Sequence, residues 1–277
     1  MRQVRCQGLV DSPGDLGPDG HACWSYADLE GDFRDAAIAF LAEGVELGQA
    51  LMFVGGPAAE EVVRSVEPLS SMVRDGALQV APFDSIYPGG RRLPNADQWT
   101  TYADATARAI QGGATGLRVL AEVTSLARPE GAWVGQARWE SYADRRMADF
   151  NLAALCCFER SAVTPEGLGA IASAHPVVDR RLEALVPFRL YGRSDALAIV
   201  GEVDAFASHT LRHLLRARND HEHDLVLDLE GLTFIEHTGV QALHEYAEEA
   251  RTRGHGITVR GGPPTLHRLA ELLGVAL

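Results

Sequence analysis

Lysine is absent from this sequence, and all 25 basic residues of the 277-residue chain are arginines. The absence excludes chemistry that needs a lysine amine, such as the phosphate-binding P-loop, the strand lysine of protein kinases and Schiff-base catalysis. Negative charge outweighs positive charge, because 38 Asp and Glu residues against 25 Arg give a formal net charge of −13. A nucleic-acid backbone or an anionic membrane surface would on average be repelled, so we expect neither as a direct partner.

Cysteine and long apolar runs are scarce as well. The four cysteines, Cys6, Cys23, Cys156 and Cys157, contain no CxxC pair of the zinc-binding type. They are therefore interpreted as reduced core thiols, and the sequence predicts no metal site and no cofactor. No segment has the composition of a signal peptide or the length of a membrane span, so we expect a cytoplasmic protein.

Helix-like and strand-like patterns alternate after a Gly- and Pro-rich segment, residues 1–20, which is expected to be a flexible lead. Short apolar runs predict strands at 49–56, 77–83, 116–121 and 152–158. Helical spacing of apolar residues predicts helices at 29–44, 57–67, 97–112 and 134–149, and another from about 164. Strands separated by helices of this length favour a mainly parallel sheet with helices on both faces. The first α/β domain is predicted to cover residues 21–180.

The pattern breaks near residues 186–195, and a smaller α/β domain is predicted over 190–277. Its elements are predicted in the order strand 196–204, helix 205–217, strand 224–235, helix 239–254, strand 255–261 and helix 265–274. The predicted fold class is thus α/β throughout, with a large parallel-sheet domain followed by a smaller second domain.

Three segments of the second domain occur in an informative order. They are ALAIVGEVD (196–204), DLVLDLEGLTFIEHTGVQAL (224–243) and GHGITVRGGPPTLHRLAELLGV (254–275). Together they resemble a STAS domain of the anti-sigma factor antagonist family. The resemblance implies a small sheet packed on helices and a partner that is both an anti-sigma factor and a serine/threonine protein kinase. It also implies that phosphorylation by this kinase releases the complex.

The family's Asp-Ser-Ser-Gly signature aligns with Glu236, His237, Thr238 and Gly239, so the resemblance implies that Thr238 is the phosphate acceptor. The first position carries a longer acid than usual, and a histidine replaces a small hydroxyl residue. The implied partner-binding residues are Glu202, Asp204, Glu236, His237, Thr238 and Gly239. From the residues alone, Thr238 also fits a capping box with Gln241, and the two roles do not exclude each other.

Five segments of the first domain carry a second resemblance. They are HACWSY (21–26), FLAEGVELGQALMFVGG (40–56), GLRVLAEVTSL (116–126), WESYADRRMADFNLAALCCFER (139–160) and AHP (174–176). They resemble the MEDS domain, a sensory domain found in methanogen and methylotroph proteins and related to a dichloromethane-responsive regulator. The resemblance implies a RecA/KaiC-like α/β fold without the lysine-containing ATPase loop, and a small-molecule ligand.

Ligands of open parallel sheets bind beyond the carboxyl ends of the strands. The predicted strands end at Gly55 and Gly56, Asp84, Glu122 and Glu159, where family-like residues could join them. The expected ligand-binding residues are His21, Tyr26, Glu122, Trp139, Glu140 and His175. The alternative is that Arg118 or Arg138 pairs with the two glutamates and that both histidines only cap turns.

The sequence therefore predicts a signalling regulator and not an enzyme: an anti-sigma factor antagonist with a small-molecule-sensing N-terminal domain. Two alternatives stay open. One is a metal-assisted hydrolase that uses His21, Glu122, Glu140 and His175. The other is a STAS scaffold in a larger complex, and self-association of the chain is also left open.

Overall fold

The computed structural model describes residues 5–148, 150–192, 196–218 and 224–277. Within these residues the chain forms two β-sheets covered by helices. The predicted α/β fold class, with a larger parallel sheet before a smaller one, is confirmed.

The first sheet has seven parallel strands in the order β1-β7-β2-β6-β5-β3-β4. These are β1 Gly8–Val10, β2 His21–Tyr26, β3 Ala50–Val54, β4 Leu78–Ala81, β5 Leu117–Glu122, β6 Leu152–Glu159 and β7 Val177–Asp179. The helices between them are α1 Arg34–Glu46, α2 Pro57–Ser65, α3 Leu69–Arg74, α4 Phe83–Ile86, α5 Asn95–Gln111, α6 Thr124–Ala127, α7 Ala132–Met147 and α8 Pro165–Ala172. Local sequence explains several helix starts. At α8, for example, the Thr164 hydroxyl accepts a hydrogen bond from the Gly167 amide, and Pro165 occupies the first helical position.

The central strands are buried on both faces, which is why their sequences read as continuous apolar runs. Because side chains alternate along a strand, neighbouring residues belong to different cores. Cys156 packs in the core beneath α7, whereas Cys157 packs in the core beneath α1. This alternation decides which of the predicted site residues can meet.

The second sheet contains β8 Phe188–Gly192, β9 Ala196–Val203, β10 Leu225–Asp228, β11 Leu232–Ile235 and β12 Ile257–Arg260. Strand β8 is antiparallel to β9, while β10 and β11 run parallel to β9 and β12 runs parallel to β10. Its helices are α9 Ala205–Arg216, α10 His237–Thr252 and α11 Pro264–Leu273. The two sheets share one continuous apolar core, in which α7 packs against α9 and β8.

Five segments differ from the sequence expectation. The single strand expected at 224–235 forms two strands, β10 and β11, and the pattern break expected near 186–195 contains β8. The expected flexible lead contains β1, which pairs with β7, and it also buries Leu16. The second strand, β2, lies near the middle of the sheet, although its mixed composition (HACWSY) hid it from a search for apolar runs. The helix expected from residue 29 begins as a wider turn and becomes α-helical at Arg34. Among the described residues, no helix combines the length and apolarity that a membrane crossing requires.

Candidate functional site

Four metal-capable side chains meet in the core beneath α7. His21 opens β2 and Cys156 lies on the adjacent strand β6, where the register pairs His21 with Ala154. Since Cys156 is two residues beyond Ala154, its side chain points to the same face as His21. Glu140 reaches this face from α7, and His175 follows α8. We call His21, Glu140, Cys156 and His175 the donor cluster.

The donor cluster is compact and sealed from solvent. One ligand atom from each of the four side chains lies within 4.8 Å of the others, and all four residues are buried. Glu140 Oε2 lies 3.4 Å from His21 Nε2, 3.6 Å from His175 Nε2 and 3.6 Å from Cys156 Sγ. The two imidazole rings are 4.1 Å apart between centroids. The arrangement concentrates nitrogen, oxygen and sulfur donors around one point.

Each histidine is oriented by a partner outside the cluster. His21 Nδ1 lies 3.3 Å from Asp144 Oδ1, and His175 Nδ1 lies 2.9 Å from the Ile171 carbonyl oxygen. These contacts direct the Nε2 atom of each ring toward Glu140. His175 Nε2 is buried and has no hydrogen-bond partner among the described residues. A buried polar atom without a partner is costly, and it requires an explanation.

The side chains of the donor cluster have pKa values that are shifted in different directions by their surroundings. Burial lowers the pKa of His175 to about 3, with a further contribution from His21, so its ring is neutral. Burial also opposes the charge on His21, but Asp144 and Glu140 outweigh it and raise the pKa of His21. Burial raises the pKa of the Cys156 thiol well above its usual value, and Glu140 adds to the effect. Because the His175 ring is neutral, its contact with Glu140 is not an ion pair, although Nε2 and Oε2 are only 3.6 Å apart.

A cavity of about 30 Å³ adjoins the donor cluster, enough for one or two waters or a ligand of a few heavy atoms. Its walls are mostly aromatic and aliphatic, with three polar side chains from the cluster. The lining residues are His21, Tyr87, Trp99, Tyr102, Val119, Ala121, Val123, Trp139, Glu140, Ala143, Met147, Leu152, Ala154 and Cys156. An apolar pocket with a few converging polar groups is typical of small-molecule sites.

Asp144 links this pocket to the second sheet. It lies one helical turn after Glu140, on the same side of α7. Its Oδ1 accepts from Arg5 at 2.7 Å, in addition to its contact with His21. Its Oδ2 accepts from Arg218, just after α9, at 2.7 Å, and from the Gly192 amide of β8 at 2.6 Å. The buried Asp144 carboxylate therefore contacts His21 in the pocket as well as Arg218 and Gly192 of the smaller α/β unit.

The expected ligand-binding residues separate into two groups. One group lies at the donor cluster: it consists of the cluster members His21, Glu140 and His175, together with Trp139, which lines the adjoining cavity. Tyr26 and Glu122 lie on the opposite face of the sheet, where the Tyr26 hydroxyl donates to Glu122 Oε1 at 2.9 Å. Tyr26 is five residues beyond His21 on one strand, and an odd spacing places two side chains on opposite faces.

The arginine pairing considered as an alternative does not occur among the described contacts of Glu122 and Glu140. Arg118 binds Glu43 and Gln49 instead, and the Arg138 guanidinium contacts the His213 ring at 3.0 Å. Turn capping accounts for only part of the histidine geometry, namely the bond from His175 to Ile171.

Thr238 is not the N-cap of α10, contrary to the capping-box interpretation. The helix begins at His237, and Glu236 occupies the N-cap position with extended backbone and no side-chain cap. Thr238 lies within the first turn, half-buried, and its hydroxyl accepts a hydrogen bond from the Ser208 hydroxyl of α9 at 3.0 Å. The side chain therefore joins two helices, and Gln241 is exposed.

The other expected partner-binding residues differ in their exposure to solvent and in their local contacts. Glu202, Asp204 and His237 are exposed, whereas Gly239 is buried. Asp204 caps α9 by accepting from the Ala207 amide at 2.8 Å. A Cβ atom at Gly239 would approach Ile235 Cγ1 to 2.7 Å and Val203 Cγ1 to 2.8 Å, so this glycine allows close packing instead of offering a contact surface.

An exposed aromatic residue near Thr238 had no signal in the sequence analysis. Phe206, two residues before Ser208, is 88% exposed, and Phe234 on β11 is 41% exposed. Large exposed aromatic side chains are enriched at protein interfaces. The sequence analysis also missed Cys156, Asp144 and Arg218 as site residues. Strand alternation separates Cys156 from Cys157, and the four-residue step from Glu140 to Asp144 was a usable signal.

These features define a class of protein: an α/β unit with a buried cavity beside a polar cluster, packed against a smaller α/β unit with an exposed helix edge. Comparison with protein families is more specific. The family model described as MEDS, the methanogen/methylotroph DcmR sensory domain, matches residues 20–176, and the chain belongs to this family. The model described as Mlab, STAS domain matches residues 187–276. Both resemblances noted in the sequence are thereby confirmed, and no curated protein matches the chain.

Proposed function

We propose that this protein is an anti-sigma factor antagonist whose activity is set by a small molecule. In this proposal the sensory domain, residues 21–180, binds the ligand in the cavity beside the donor cluster. The STAS domain, residues 190–277, binds an anti-sigma factor that is also a serine/threonine protein kinase. Both matching families are sensory or signalling families, which supports a regulator over a hydrolase.

The observation that carries the proposal is the position of Asp144. Its carboxylate contacts His21 on the pocket side and Arg218 and Gly192 on the STAS side. A ligand that moves His21 or α7 would therefore disturb the hydrogen bonds of Asp144 with Arg218 and Gly192. Coupling between two sites requires such an element with different contacts in the two states.

The size and walls of the cavity favour a small, largely apolar ligand. A volume of about 30 Å³ has room for only a few heavy atoms. Aromatic rings such as those of Tyr102 and Trp139, which stack with centroids 6.1 Å apart, form one wall. Compact molecules with one polar group fit these walls better than a nucleotide does, which is consistent with the absence of any P-loop lysine.

The switch on the output side is proposed to be Thr238. A phosphate on this residue would replace the hydrogen bond with Ser208 and add about −1.5 to −2 charges. The first turn of a helix tolerates such an anion, so α10 need not unfold. The nearby acids Glu236, Asp204 and Glu202 would make the partner-facing edge still more negative, which favours release of the partner. Exposed Phe206 supplies the apolar contact that this edge would offer a partner.

The test uses the full chain and purified kinase-type anti-sigma factors from the same genome, with ATP and Mg²⁺. We expect one phosphate, assigned to Thr238 by mass spectrometry, and none in Thr238→Val. Thr238→Glu should weaken binding of the anti-sigma factor about tenfold or more, since a mimic retains part of the added charge.

The matched control is Thr252→Glu, an exposed threonine at the other end of the same helix, which should bind as wild type does. Phosphate incorporation that persists in Thr238→Val would contradict the site. Failure of the wild-type protein to bind any kinase-type anti-sigma factor would contradict the partner class.

A further inference from the structure

Four buried donors converge in the donor cluster, and one of them, His175 Nε2, makes no hydrogen bond among the described residues. We propose that His21, Glu140, Cys156 and His175 bind a divalent transition-metal ion of the zinc type. The site departs from the expectation based on cysteine spacing, because its ligands come from four separate segments and not from a CxxC motif. The proposal does not depend on the STAS partner or on phosphorylation.

The distances fit tetrahedral coordination. A zinc ion with bonds of about 2.0–2.3 Å to nitrogen, oxygen and sulfur holds its donors roughly 3.3–3.6 Å apart. Three of the donor separations are 3.4, 3.6 and 3.6 Å, and Cys156 Sγ lies 3.8 Å from His21 Nε2. All four donor atoms lie within 4.8 Å of one another. Side-chain shifts on the order of 1 Å would therefore bring every separation into the tetrahedral range.

Hydrogen bonds from outside the cluster also orient the proposed ligands, as is usual for metal ligands. Metal-binding histidines donate their second ring N–H to a carboxylate or a carbonyl, which fixes the tautomer. His21 has Asp144 in this role, and His175 has the Ile171 carbonyl. Glu140 accepts from Gln136 Nε2 at 2.6 Å through Oε1, which leaves Oε2 facing the other donors. These three contacts support the ligands from outside the cluster.

Charge balance favours an ion of charge +2. Glu140 contributes one negative charge, and the Cys156 thiol would contribute a second by losing its proton when it binds the metal. Two neutral imidazoles complete a set whose total charge cancels that of the ion. Binding would thus release the thiol proton, together with any proton held on His21, and would satisfy the unpaired Nε2 of His175.

The chemical types of the four donor atoms indicate which metal ion the site prefers. A set of two imidazoles, one thiolate and one carboxylate is unsuited to Ca²⁺ or Mg²⁺, which prefer oxygen ligands. Mixed nitrogen and sulfur donors in a tetrahedron are typical of Zn²⁺, and Co²⁺ adopts the same geometry as a spectroscopic substitute. Four protein ligands make a closed site, which is the arrangement of structural zinc sites.

The test is metal titration of the full-length protein after removal of bound metal by a chelator. We expect one Zn²⁺ per chain. We also expect Co²⁺ to produce both the visible bands of a tetrahedral ion and a near-ultraviolet thiolate-to-metal band. If the wild-type protein shows no thiolate band and binds no stoichiometric Zn²⁺, the proposal is wrong, whatever the variants do.

Adjacent cysteines provide the matched variants. Cys156→Ala should lose the thiolate band and weaken Zn²⁺ binding at least tenfold. Cys157→Ala, which removes a buried thiol from the opposite face of the same strand, should retain both. Equal metal binding by the two variants would contradict the assignment of Cys156. Circular dichroism of both variants checks that they fold.

Discussion

Two buried polar clusters occupy opposite faces of the seven-stranded sheet. On one face, Arg118 is completely buried and uses three guanidinium nitrogens, with bonds to Gln49, Glu43 and the carbonyl oxygens of Phe40 and Gly17. On the other face, the donor cluster leaves His175 Nε2 without a hydrogen bond among the described residues. The first cluster is complete without any added group, as a structural network should be. In our proposal, a bound metal ion completes the second.

The largest effect is expected from breaking the complete cluster. Arg118→Met should reduce the free energy of unfolding by about 3–5 kcal/mol, because Glu43 loses its charged partner in a buried site. Urea unfolding measures the loss. Arg34→Met is the control, since Arg34 pairs with Asp35 at the surface and should contribute little. A loss below about 1 kcal/mol for Arg118→Met would show that the network is not structural.

A smaller effect is expected at the connection between the two sheets. Arg218→Met removes the bonds to Asp144 and Ser141, but Asp144 retains Arg5 and the Gly192 amide. We therefore expect a loss of about 2–3 kcal/mol in the free energy of unfolding. Arg216→Met, two residues earlier and largely exposed, is the matched control. If the two variants unfold at the same urea concentration, the buried connection contributes nothing to stability.

Substitution in the donor cluster should have little effect on the stability of the metal-free protein but should abolish stabilisation by Zn²⁺. His175→Gln should lower the free energy of unfolding of the metal-free protein by only about 1–2 kcal/mol, because the bond from Nδ1 to the Ile171 carbonyl is lost while Nε2 makes no bond that could be lost. Excess Zn²⁺ should stabilise the wild type, by about 2.7 kcal/mol at one hundred times the dissociation constant, and should not stabilise the variant.

Urea unfolding with and without Zn²⁺ measures both quantities. His267→Gln changes an exposed histidine of α11 and should behave as wild type does. Zinc stabilisation that persists in His175→Gln would remove this residue from the site.

The smallest effect on stability is expected at Thr238. Thr238→Val keeps the shape of the side chain, and the Ser208 hydroxyl can donate its proton to the Ala205 carbonyl, 2.7 Å away, instead of to Thr238. The free energy of unfolding should therefore fall by less than about 1 kcal/mol. Urea unfolding beside the phosphorylation assay separates the two roles, and a larger loss would indicate that the hydroxyl is structural.

Much of the fold could be predicted because its signals are local. Strands such as β3 and β6 are short apolar runs, and the helices between them show the expected spacing. The strands that were missed carry weaker signals. Strand β2 mixes His21 and Ser25 with apolar residues, and β1 and β7 have only three residues each.

The site could be predicted only in part. His21, Glu140 and His175 were expected together through the family resemblance, and the structure groups them. Cys156 was interpreted as a core thiol because the sequence contains no CxxC pair, and a linear pattern does not show that Cys156 and Cys157 lie on different faces of β6. The contact of Asp144 with Arg218 joins residues that are 74 positions apart, and no local pattern records such a pair.

Both proposals meet at Asp144, which contacts His21 of the donor cluster as well as Gly192 and Arg218 on the STAS side, so binding at the donor cluster is expected to affect β8 and α9. Hydrogen exchange measured by mass spectrometry on the full chain, with and without Zn²⁺, tests this central claim most directly. In the wild-type protein we predict slower exchange not only around the donor cluster but also in β8 and α9. In Asp144→Asn the change in β8 and α9 should be lost or much reduced. Stoichiometric Zn²⁺ binding to the wild-type protein with unchanged exchange in β8 and α9 would contradict the claim.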